Sequence, residues 1–438
     1  MHHTTNPDEL YTQARTVLAG GVSATARLNA AIGRPFYIQR GDGAYIEDLQ
    51  GKRYVDMCIS HGASLLGHNH PAIVGAVQRA LEHGIICSYE TEHQIALAKR
   101  LVEIIPCAEQ VRFAGSGTES MMHALRLART ATGRELLIKF EGHFHGYADV
   151  LNYSWAPPLH AAGDPHLPQI YPESSGMPGA LTSTILVLPF NDPEALEEAF
   201  AEHGERIAAL ALEPINYDSG CIPPEPGFLA LCRKLCDQYG ALLLFDEVLT
   251  AFRMHLAGAQ GWTGVTPDLA VLGKAFGAGM PISAIVGRHT VMHHLRPEGT
   301  SELSGTYLAH LTAVLAAHAA IEIYAEPAFY PCLLENCAYF YRSCAQLIER
   351  SRVPLRLQWV GPRFGLYFGI DAPVRNYRDA ARQSRAMLRT FVAGCIARGV
   401  YFHMAAHHGF SGVHDRNALD LALNAIEGAL NDVCHAHQ

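Results

Sequence analysis

One lysine in this 438-residue chain stands between an apolar stretch and a glycine-rich turn. The segment reads Leu272-Gly-Lys-Ala-Phe-Gly-Ala-Gly-Met-Pro281, and the residues around Lys274 are almost wholly apolar. Apolar surroundings disfavour an ammonium ion and make a lysine amine nucleophilic. Because a nucleophilic amine is what Schiff-base chemistry with a carbonyl group requires, Lys274 is a candidate covalent catalyst.

A pair of acids follows the apolar run Leu242-Leu-Leu-Phe, at Asp246 and Glu247. Ligands in open α/β sheets bind at the carboxyl ends of strands, so we expect Asp246 to face a ligand. A carboxylate at that place could bind a metal ion or keep a heteroaromatic nitrogen protonated. The pattern also resembles a strand end in nucleotide hydrolases, but no G-x-x-x-x-G-K-[ST] loop precedes it.

A third candidate is the segment Phe113-Ala-Gly-Ser-Gly-Thr-Glu-Ser120, which passes from a predicted strand into a helix that begins near Gly117. The first backbone N–H groups of a helix have no partner within it and lie at the positive end of its dipole. Two glycines let a ligand approach the backbone, and Ser116 and Thr118 add hydroxyl groups. The pattern predicts a phosphate or anion site, although Gly-Ser-Gly-Thr is also an ordinary loop and helix cap.

Short apolar runs alternate with amphipathic stretches through the middle of the chain, and they are the elements that must position these residues. Strands as apolar as these, separated by helices, predict a mainly parallel sheet covered on both faces. This pattern is typical of an α/β domain. The predicted strands are Leu136–Phe140, Thr184–Leu188, Ile207–Leu212, Ala241–Phe245, Leu269–Leu272 and Ile282–Val286, with helices over Gly117–Thr130 and Pro193–His203.

The two ends of the chain have a different pattern. Pro35–Tyr54 alternates and turns at Gly-Asp-Gly and Gln-Gly-Lys, as strands joined by tight turns do. Leu355–Ile370 also predicts strand, and helical sequence follows near Ala380–Arg398 and Arg416–Val433. We therefore expect a smaller α+β region assembled from both termini. Residues 155–179 predict a long loop, and because such loops are often functional we expect it to border the active site.

Composition and charge narrow the class of protein. Hydrophobic residues make up 49% and charged residues 17%, which is typical of a compact globular enzyme. The net charge of −9 gives no support to nucleic-acid binding. No uncharged run of about 18 apolar residues predicts a membrane span, and the N-terminus does not read as a signal peptide. The odd count of 11 scattered cysteines favours a reducing, cytoplasmic location, with Cys232 and Cys236 as packing residues on one helix face.

A series of motifs in order along the chain resembles the class III aminotransferases of fold type I, which use pyridoxal phosphate (PLP). The similarity is closest to glutamate-1-semialdehyde aminomutases and related aminotransferases, and it runs from about Gly20 to the C-terminal helix. The resemblance implies a large domain over residues 76–322 with a mainly parallel seven-stranded sheet, and a smaller α+β domain from residues 1–75 and 323–438. The matching motifs are Gly115–Glu119, Glu141–Gly146, Glu213-Pro214, Asp246–Val248, Gly273-Lys274 and Gly305-Thr306.

The resemblance also implies a role for individual residues. Lys274 is expected to hold PLP as a Schiff base and to shuttle a proton, while Asp246 keeps the pyridinium nitrogen protonated so that the ring can act as an electron sink. Thr306 is expected to reach the phosphate from the other subunit of a homodimer. The remaining cofactor positions are Ser116, Gly117 and Thr118 at the phosphate, Phe144 and Val248 at the ring faces, His145 and Glu213 beside them, and Asp218 in place of the family's asparagine near the ring hydroxyl.

One predicted substrate residue matches the aminomutase family, and two lie in segments where this chain departs from it. Arg27 resembles the position at which this subgroup binds a substrate carboxylate, a group that an arginine fork suits well. His61-Gly62-Ala63 replaces the aminomutases' Trp-Gly-Pro, and Ser154–Pro158 replaces a Gly-Ser-rich loop. Both segments border the substrate in that family, so we predict His61 and Trp155 as substrate residues. The departures favour transfer between two molecules over an aminomutase or racemase that uses the same lysine.

Three other interpretations of these residues stay open at this point. A nucleotide-binding enzyme could use the Gly-Ser-Gly-Thr turn and Asp246, but the chain carries neither a Walker loop nor a dinucleotide fingerprint. A binding protein that has lost catalysis would not need Lys274 and Asp246 together. His143 and His145 could form a metal-binding pair, but no third ligand stands nearby in the sequence, and we predict no resident metal.

Overall fold

The computed structural model describes residues 6–405 and 407–437. Within these residues the chain forms two compact units. The first comprises the described residues up to His70, Pro331–Pro373 and those from Arg382 onward. The second comprises Pro71–Tyr330 and Val374–Ala381.

Five strands follow the first helix, and strands and helices are interspersed along the rest of the described chain. In chain order the strands are β1 (Leu28–Asn29), β2 (Arg34–Pro35), β3 (Ile38–Asp42), β4 (Tyr45–Asp48), β5 (Arg53–Asp56), β6 (Gln110–Ala114), β7 (Leu136–Phe140), β8 (Ile185–Leu188), β9 (Ile207–Leu212), β10 (Leu242–Glu247), β11 (Leu269–Leu272), β12 (Ser283–Gly287), β13 (Leu355–Val360), β14 (Arg363–Phe368), β15 (Val400–Tyr401) and β16 (His407–Gly409). The helices are α1 (Pro7–Val17), α2 (Pro71–Glu82), α3 (Glu92–Ile104), α4 (Gly117–Thr132), α5 (Pro193–His203), α6 (Phe228–Tyr239), α7 (Gly258–Thr263), α8 (His289–Met292), α9 (Leu311–Tyr324), α10 (Phe329–Ser351), α11 (Tyr377–Ala381), α12 (Arg385–Ala397) and α13 (Arg416–Ala436).

A seven-stranded sheet forms the centre of the second unit, with the strand order β6-β12-β11-β10-β9-β7-β8. Strand β12 runs antiparallel to both of its neighbours, and the other pairs are parallel. Every residue of β7, β9, β11 and β12 is buried, because helices cover the sheet and leave no solvent-facing side. The predicted mainly parallel α/β fold is confirmed.

The strand directions decide where the chemistry lies. Strands β6, β7, β9, β10 and β11 all end at one edge of the sheet, and each is followed at once by residues that the sequence marks as functional. Strand β12 begins at this same edge, because Ser283 pairs with Ala114 and Ala284 pairs with Leu272. The short connection from Leu272 to Ser283 permits the reversal, whereas a parallel strand would need a long crossover. Lys274 lies in that connection.

Helix α4 packs on one face of the sheet. Ser116 caps its N-terminus by accepting a hydrogen bond from the backbone N–H of Glu119, and Gly133 ends it in a left-handed conformation at φ 67°. Its buried side joins a core cluster with the strands, which includes Met121, Leu125 and Leu244. The helix is therefore fixed at both ends and along its length, so its first turn is held rigidly beside the end of β6.

The first unit contains smaller sheets. Strand β15, from the C-terminal part of the chain, pairs in parallel with β5, from the N-terminal part, in the sheet β15-β5-β4-β3. The residues predicted as strand over Leu355–Ile370 form a hairpin of β13 and β14, with Gly361 at φ 56° in the turn. Helix α12 begins at Arg385 rather than near Ala380, because Ser384 caps it by accepting from the N–H of Met387.

The described helices and cysteines bear on membrane crossing and on disulfide bonding. None of the described helices combines the length and the apolar character needed to cross a bilayer. Each cysteine lies within the described ranges and is a free thiol, and most are buried. Cys232 and Cys236 lie on the buried side of α6, where burial raises the pKa of both thiols well above its usual value. They are packing residues of the helix.

Candidate active site

A cavity of about 290 Å³ lies at the edge of the large sheet where the parallel strands end. Ten of the residues predicted from the sequence line it together: Ser116, Gly117, Thr118, Phe144, His145, Glu213, Asp218, Asp246, Val248 and Lys274. These residues come from five separate stretches of the chain, and each stretch lies at the carboxyl end of a strand or in the loop that follows it. The fold thus brings together the groups that the sequence only places in order.

The start of α4 forms one wall of this cavity. The hydroxyl of Ser116 accepts from the N–H of Glu119 at 3.2 Å, and the Glu119 carboxylate accepts from the N–H of Gly115 at 2.8 Å. The next N–H groups, at Gly117 and Thr118, have no acceptor within the helix. A Cβ atom at Gly117 would lie 2.9 Å from Val248 Cγ2, so glycine is required there. The wall suits an anion such as phosphate.

Asp246 is held by two donors. Its Oδ2 atom lies 2.8 Å from His145 Nδ1, and its Oδ1 atom accepts from the backbone N–H of Val248 at 3.0 Å. Burial lowers the pKa of His145, so the ring is neutral and its Nδ1–H donates to the carboxylate. The other ring nitrogen, Nε2, is buried without a hydrogen-bond partner among the described residues. This pairing gives His145 the role that the sequence left open: it orients Asp246.

Glu213 and Asp218 place two more carboxyl groups in the cavity. Glu213 accepts from the N–H groups of Phe144 and Tyr217, each at 3.1 Å. Burial raises the pKa of Glu213 well above its usual value, and the nearby charges of Asp218 and Asp246 act in the same direction. Burial also raises the pKa of Asp218, to about 7. The cavity therefore holds fewer negative charges near neutral pH than its three carboxyl groups suggest.

Lys274 opens the short 3-10 turn Lys274–Gly277, directly after β11. Its backbone lies in the left-handed region at φ 48°, where a non-glycine residue is strained by about 1 kcal/mol or more. The turn is anchored from α9, where the buried Tyr324 hydroxyl donates to the carbonyl of Ala275 at 2.9 Å. This anchoring holds the strained backbone and directs the Lys274 side chain to the cavity that it lines.

Phe144 and Trp155 form an aromatic pair beside the cavity. Their ring centroids are 5.5 Å apart at an angle of 74°, which is an edge-to-face arrangement. Phe144 lines the cavity, and Trp155 packs against it, half-buried. The 155–179 loop therefore borders the site through the contact of Trp155 with Phe144.

Three predicted residues lie elsewhere. Thr306 is exposed, and its carbonyl accepts from the Ser88 hydroxyl at 3.0 Å. Arg27 and His61 belong to the first unit, where both line a cavity of about 540 Å³. In that cavity the ring of His61 meets the ring of His403 edge-on at 5.1 Å.

The structure also adds residues that sequence reasoning missed. Met280, Pro281 and Ile282, just before the reversed strand, line the cavity next to Lys274. Gly146 packs so closely on Thr118 that a Cβ atom would lie 2.5 Å from its hydroxyl. The glycine of the His-Phe-His-Gly run was a visible signal for this contact. For residues 280–282 the only available signal was their closeness to Lys274 along the chain.

The groups around this cavity fit PLP on the chemistry of the donor set. An amine, an oriented carboxylate, the first turn of a capped helix and apolar side chains correspond to the aldehyde, ring nitrogen, phosphate and ring of that cofactor. His145 contacts Asp246 through Nδ1, and its buried Nε2 atom has no hydrogen-bond partner among the described residues. Among the described residues no group of three or more potential ligands could hold a metal ion.

Comparison with known proteins agrees with this reading. A family model described as "Aminotransferase class-III" matches residues 29–407. An omega-transaminase from Sphaerobacter thermophilus superposes with a TM-score of 0.93 at 31% identity, covering 98% of both chains. A beta-phenylalanine aminotransferase from Variovorax paradoxus gives 0.85 at 28%, covering 96% of this chain and 92% of that one. A glutamate-1-semialdehyde aminomutase from Pseudomonas aeruginosa PAO1 gives 0.87 at 22%, covering 98% and 94%, and shows the shared fold alone.

The fold and the cavity define an α/β transferase of fold type I that uses PLP. The chain belongs to the class III aminotransferase family. The predicted enzyme class and its cofactor are thereby confirmed, and small molecules are its substrates.

We predict that Asp218→Asn stabilises the protein at alkaline pH. The folded state holds the Asp218 proton up to about pH 7, whereas an unfolded aspartate releases it near pH 4. Between these values the native state loses stability as the pH rises, and above them the loss is complete. The variant should gain on the order of 2 kcal/mol in the free energy of unfolding at pH 8.5 and nothing near pH 3.5.

Denaturant unfolding of the cofactor-free protein at both pH values measures this difference. Asp149→Asn, at an exposed position of the same unit, is the matched control and should show no comparable gain. An equal gain at both pH values would contradict the assignment of the effect to a buried carboxyl group.

Proposed function

We propose that the protein moves an amino group from a donor amino acid or amine to a separate carbonyl acceptor, in two half-reactions on one site. The observation that carries this proposal is the convergence of Lys274, the Asp246–His145 pair and the first turn of α4 on a single cavity. The carbonyl compound can be a keto acid, a ketone or an aldehyde.

The cofactor supplies an electron sink when it is bound. The Lys274 amine is the group proposed to hold it covalently and then to carry a proton. Asp246, oriented by His145, would keep the pyridinium nitrogen protonated, since the paired carboxylate favours a positive charge nearby. Ser116, Gly117 and Thr118 would hold the phosphate at the start of α4. Phe144 and Val248 would pack on the ring, which their side chains border.

Glu213 and Asp218 are proposed as further cofactor contacts. A protonated Asp218 can donate a hydrogen bond, as an amide side chain can, and its raised pKa keeps that form present near neutral pH. Glu213 already accepts from the backbone N–H groups of Phe144, Tyr217 and Asp218. We therefore infer that Glu213 shapes the wall of the cavity while Asp218 contacts the ring hydroxyl.

Arg27, His61 and Trp155 are proposed as substrate residues. An exposed guanidinium group such as that of Arg27 is suited to a substrate carboxylate, and His61 lines the same cavity. The Trp155 ring packs edge-to-face against the Phe144 ring and adds a second aromatic surface beside it. Arg27 favours substrates that carry a carboxylate, and Trp155 favours an apolar or aromatic group.

Transfer between two molecules is favoured over an amino shift within one molecule or a racemisation. Structures with identities of 31% and 28% are named as an omega-transaminase and a beta-phenylalanine aminotransferase, and the similarity to the aminomutase lies at 22%. The sequence departs from the aminomutases at His61-Gly62-Ala63 and at Ser154–Pro158. Both segments border the substrate in that family, so the substrate differs while the cofactor groups are kept.

A homodimer with Thr306 donated across the interface is supported by exposed apolar side chains. Ile85, Tyr89 and Tyr307 are each more than 70% exposed, and Ser88 bonds to the backbone of Thr306 in their midst. A surface of this kind is typical of a protein interface. A second copy of the chain is the proposed partner, and it would bring Thr306 to the neighbouring phosphate.

We also propose a cellular location for the protein and a division of the chain into domains. Free thiols throughout the described chain are typical of a reducing compartment, which supports the cytoplasm. The division into residues 1–75, 76–322 and 323–438 is supported by compact units that change over at His70 and at Tyr330.

We predict that donor alone drives one half-reaction and then stops. Purified protein should lose the visible absorption of its lysine-linked cofactor when an effective donor is added, and regain it when a carbonyl acceptor follows. L-alanine, L-glutamate and an aryl amine are the donors to compare. Lys274→Ala should lose both the absorption and turnover, with kcat reduced by about a thousandfold or more.

Lys234→Ala, at an exposed position of α6, is the control and should behave like the wild type. Complete conversion of a single substrate without any acceptor would instead establish an aminomutase or racemase. Turnover by Lys274→Ala at the wild-type rate would overturn the assignment of the lysine.

We predict that Arg27→Ala raises KM selectively for substrates with a carboxylate. Loss of a charged hydrogen-bonding partner should raise KM about ten- to hundredfold for amino acids and leave simple amines unchanged. Steady-state kinetics with an amino acid and the matching amine measure the two values. Arg40→Ala, at an exposed position of β3, is the control. Equal increases for both substrates would argue against a carboxylate contact.

We predict that subunit mixing rescues cofactor binding. Thr306→Ala should weaken PLP retention in the homodimer, because each phosphate would lose a donor from the neighbouring subunit. In a mixed dimer with Lys274→Ala, one of the two sites has a native lysine and a native threonine from opposite chains. Activity should therefore appear on mixing the two variants, and no activity beyond that of the parents would contradict donation across the interface.

A further inference from the structure

A second lysine lies fully buried near the cofactor cavity, and neither the motifs nor the proposed chemistry accounts for it. Lys139 stands in β7 within the sequence Leu-Leu-Ile-Lys-Phe, and its relative exposure is 0%. Its neighbours Ile138 and Phe140 direct their side chains to the opposite face of the sheet. A buried lysine is rare unless its amine is bound by acceptors, so its contacts identify its role.

The acceptors of Lys139 are backbone carbonyls of one loop. The Lys139 amine donates to the carbonyl of Leu151 at 3.1 Å and also to the carbonyl of Tyr153. Both carbonyls flank Asn152, and the chain continues directly to Trp155. The side chain therefore fastens the segment that leads into the 155–179 loop to the central sheet by two hydrogen bonds.

Trp155 is fixed by the residues that Lys139 fastens. Its indole N–H donates to the Asn152 side chain at 3.0 Å, and the carbonyl of Ser154 accepts from the N–H of Gly142 at 2.9 Å. The Glu173 carboxylate accepts from the N–H of Ala156, the residue after Trp155, at 2.7 Å. Hydrogen bonds therefore hold the indole N–H and the backbone before and after Trp155.

The charges around Lys139 explain how an amine is tolerated in the sheet. Burial lowers the pKa of Lys139 to about 7, and the nearby carboxyl groups of Glu173, Asp218 and Glu213 oppose this effect. A neutral amine and an ammonium ion both have enough N–H groups for two carbonyl acceptors. The two hydrogen bonds therefore persist on either side of neutral pH.

We propose that Lys139 is a positioning residue for Trp155, and that it governs substrate affinity by holding the loop that places the indole against Phe144. The amine does not line the cofactor cavity, so its effect must pass through the backbone of Leu151 and Tyr153. The proposal rests on the proposed function in one respect, namely that Trp155 takes part in substrate binding.

The position of the indole can be tested apart from activity. The chain has three tryptophans, so Trp262→Phe with Trp359→Phe leaves Trp155 as the sole indole. In this background Lys139→Met, which keeps the length of the side chain but removes both donors, should raise acrylamide quenching of the Trp155 fluorescence severalfold. Lys234→Met, at an exposed position of α6, is the matched control and should leave quenching unchanged.

Kinetics of the PLP-loaded protein test the consequence for substrate. Lys139→Met should raise KM for an aromatic amino donor roughly tenfold while kcat changes little, since the reacting groups keep their places. In a Trp155→Ala background the same substitution should change KM by less than about twofold, because the residue through which it acts is gone.

Two results would overturn the proposal. Unchanged quenching in a folded Lys139→Met protein would show that the lysine does not hold Trp155. An equal increase in KM with and without Trp155 would show that it acts by another route. If Lys139→Met does not fold, Lys139→Gln, which keeps N–H donors on a shorter side chain, is tested in its place by the same two criteria, with a smaller increase expected.

Failure of the proposed function gives a different pattern. If Trp155→Ala leaves KM unchanged for every donor, Trp155 is not a substrate residue, whatever the state of Lys139. The quenching measurement still decides whether Lys139 positions the indole, because it requires no substrate.

Discussion

Parallel strands place their carboxyl ends at one edge of a sheet, and the site of this protein depends on that constraint. Strands β7, β9, β10 and β11 end there, together with β6 across the reversed strand β12. Residues more than 150 positions apart in the chain therefore line one cavity. The reversal of β12 matters as much, since it keeps the connection after β11 short and holds Lys274 at the same edge.

Burial at this edge creates an electrostatic problem that the loops resolve. Three carboxyl groups and a lysine share a small cavity, and isolated buried charges are costly. Asp246 is matched by a neutral histidine donor, Glu213 by backbone N–H groups, and Asp218 holds a proton up to about pH 7. Each carboxyl group thus has a distinct environment, and a distinct environment is what allows like groups to take different roles.

The loops that follow β7 are held in place by two basic side chains. Lys139 binds two carbonyls of the 149–153 segment, and Arg378 in α11 binds the Glu141 carboxylate together with the carbonyls of residues 162–164. Without these contacts, a long segment that lacks regular secondary structure would open locally at a low cost in free energy. The rigid frame of strands is in this way extended to the aromatic residues beside the cavity.

Hydrophobic periodicity was sufficient to predict the α/β core. The strands over 136–140, 207–212 and 269–272 match the structure residue for residue, because a strand buried on both faces is almost wholly apolar, and Lys139 is the one polar residue among the three. The start of α12 and the hairpin at Gly361 were predicted less well, since one cap and one turn residue decide them. Such local choices leave a weak pattern in the sequence.

The sequence by itself determined which residue types carry the chemistry, because motifs in a fixed order restrict the fold and the family. Lys274, Asp246 and the start of α4 were identified in this way. Only the tertiary structure decided which groups meet. The contact between His145 and Asp246 spans 101 residues, and that between Lys139 and the Trp155 loop passes through backbone carbonyls. Neither leaves a periodic or local signal, because each depends on how separate strand ends are brought together in space.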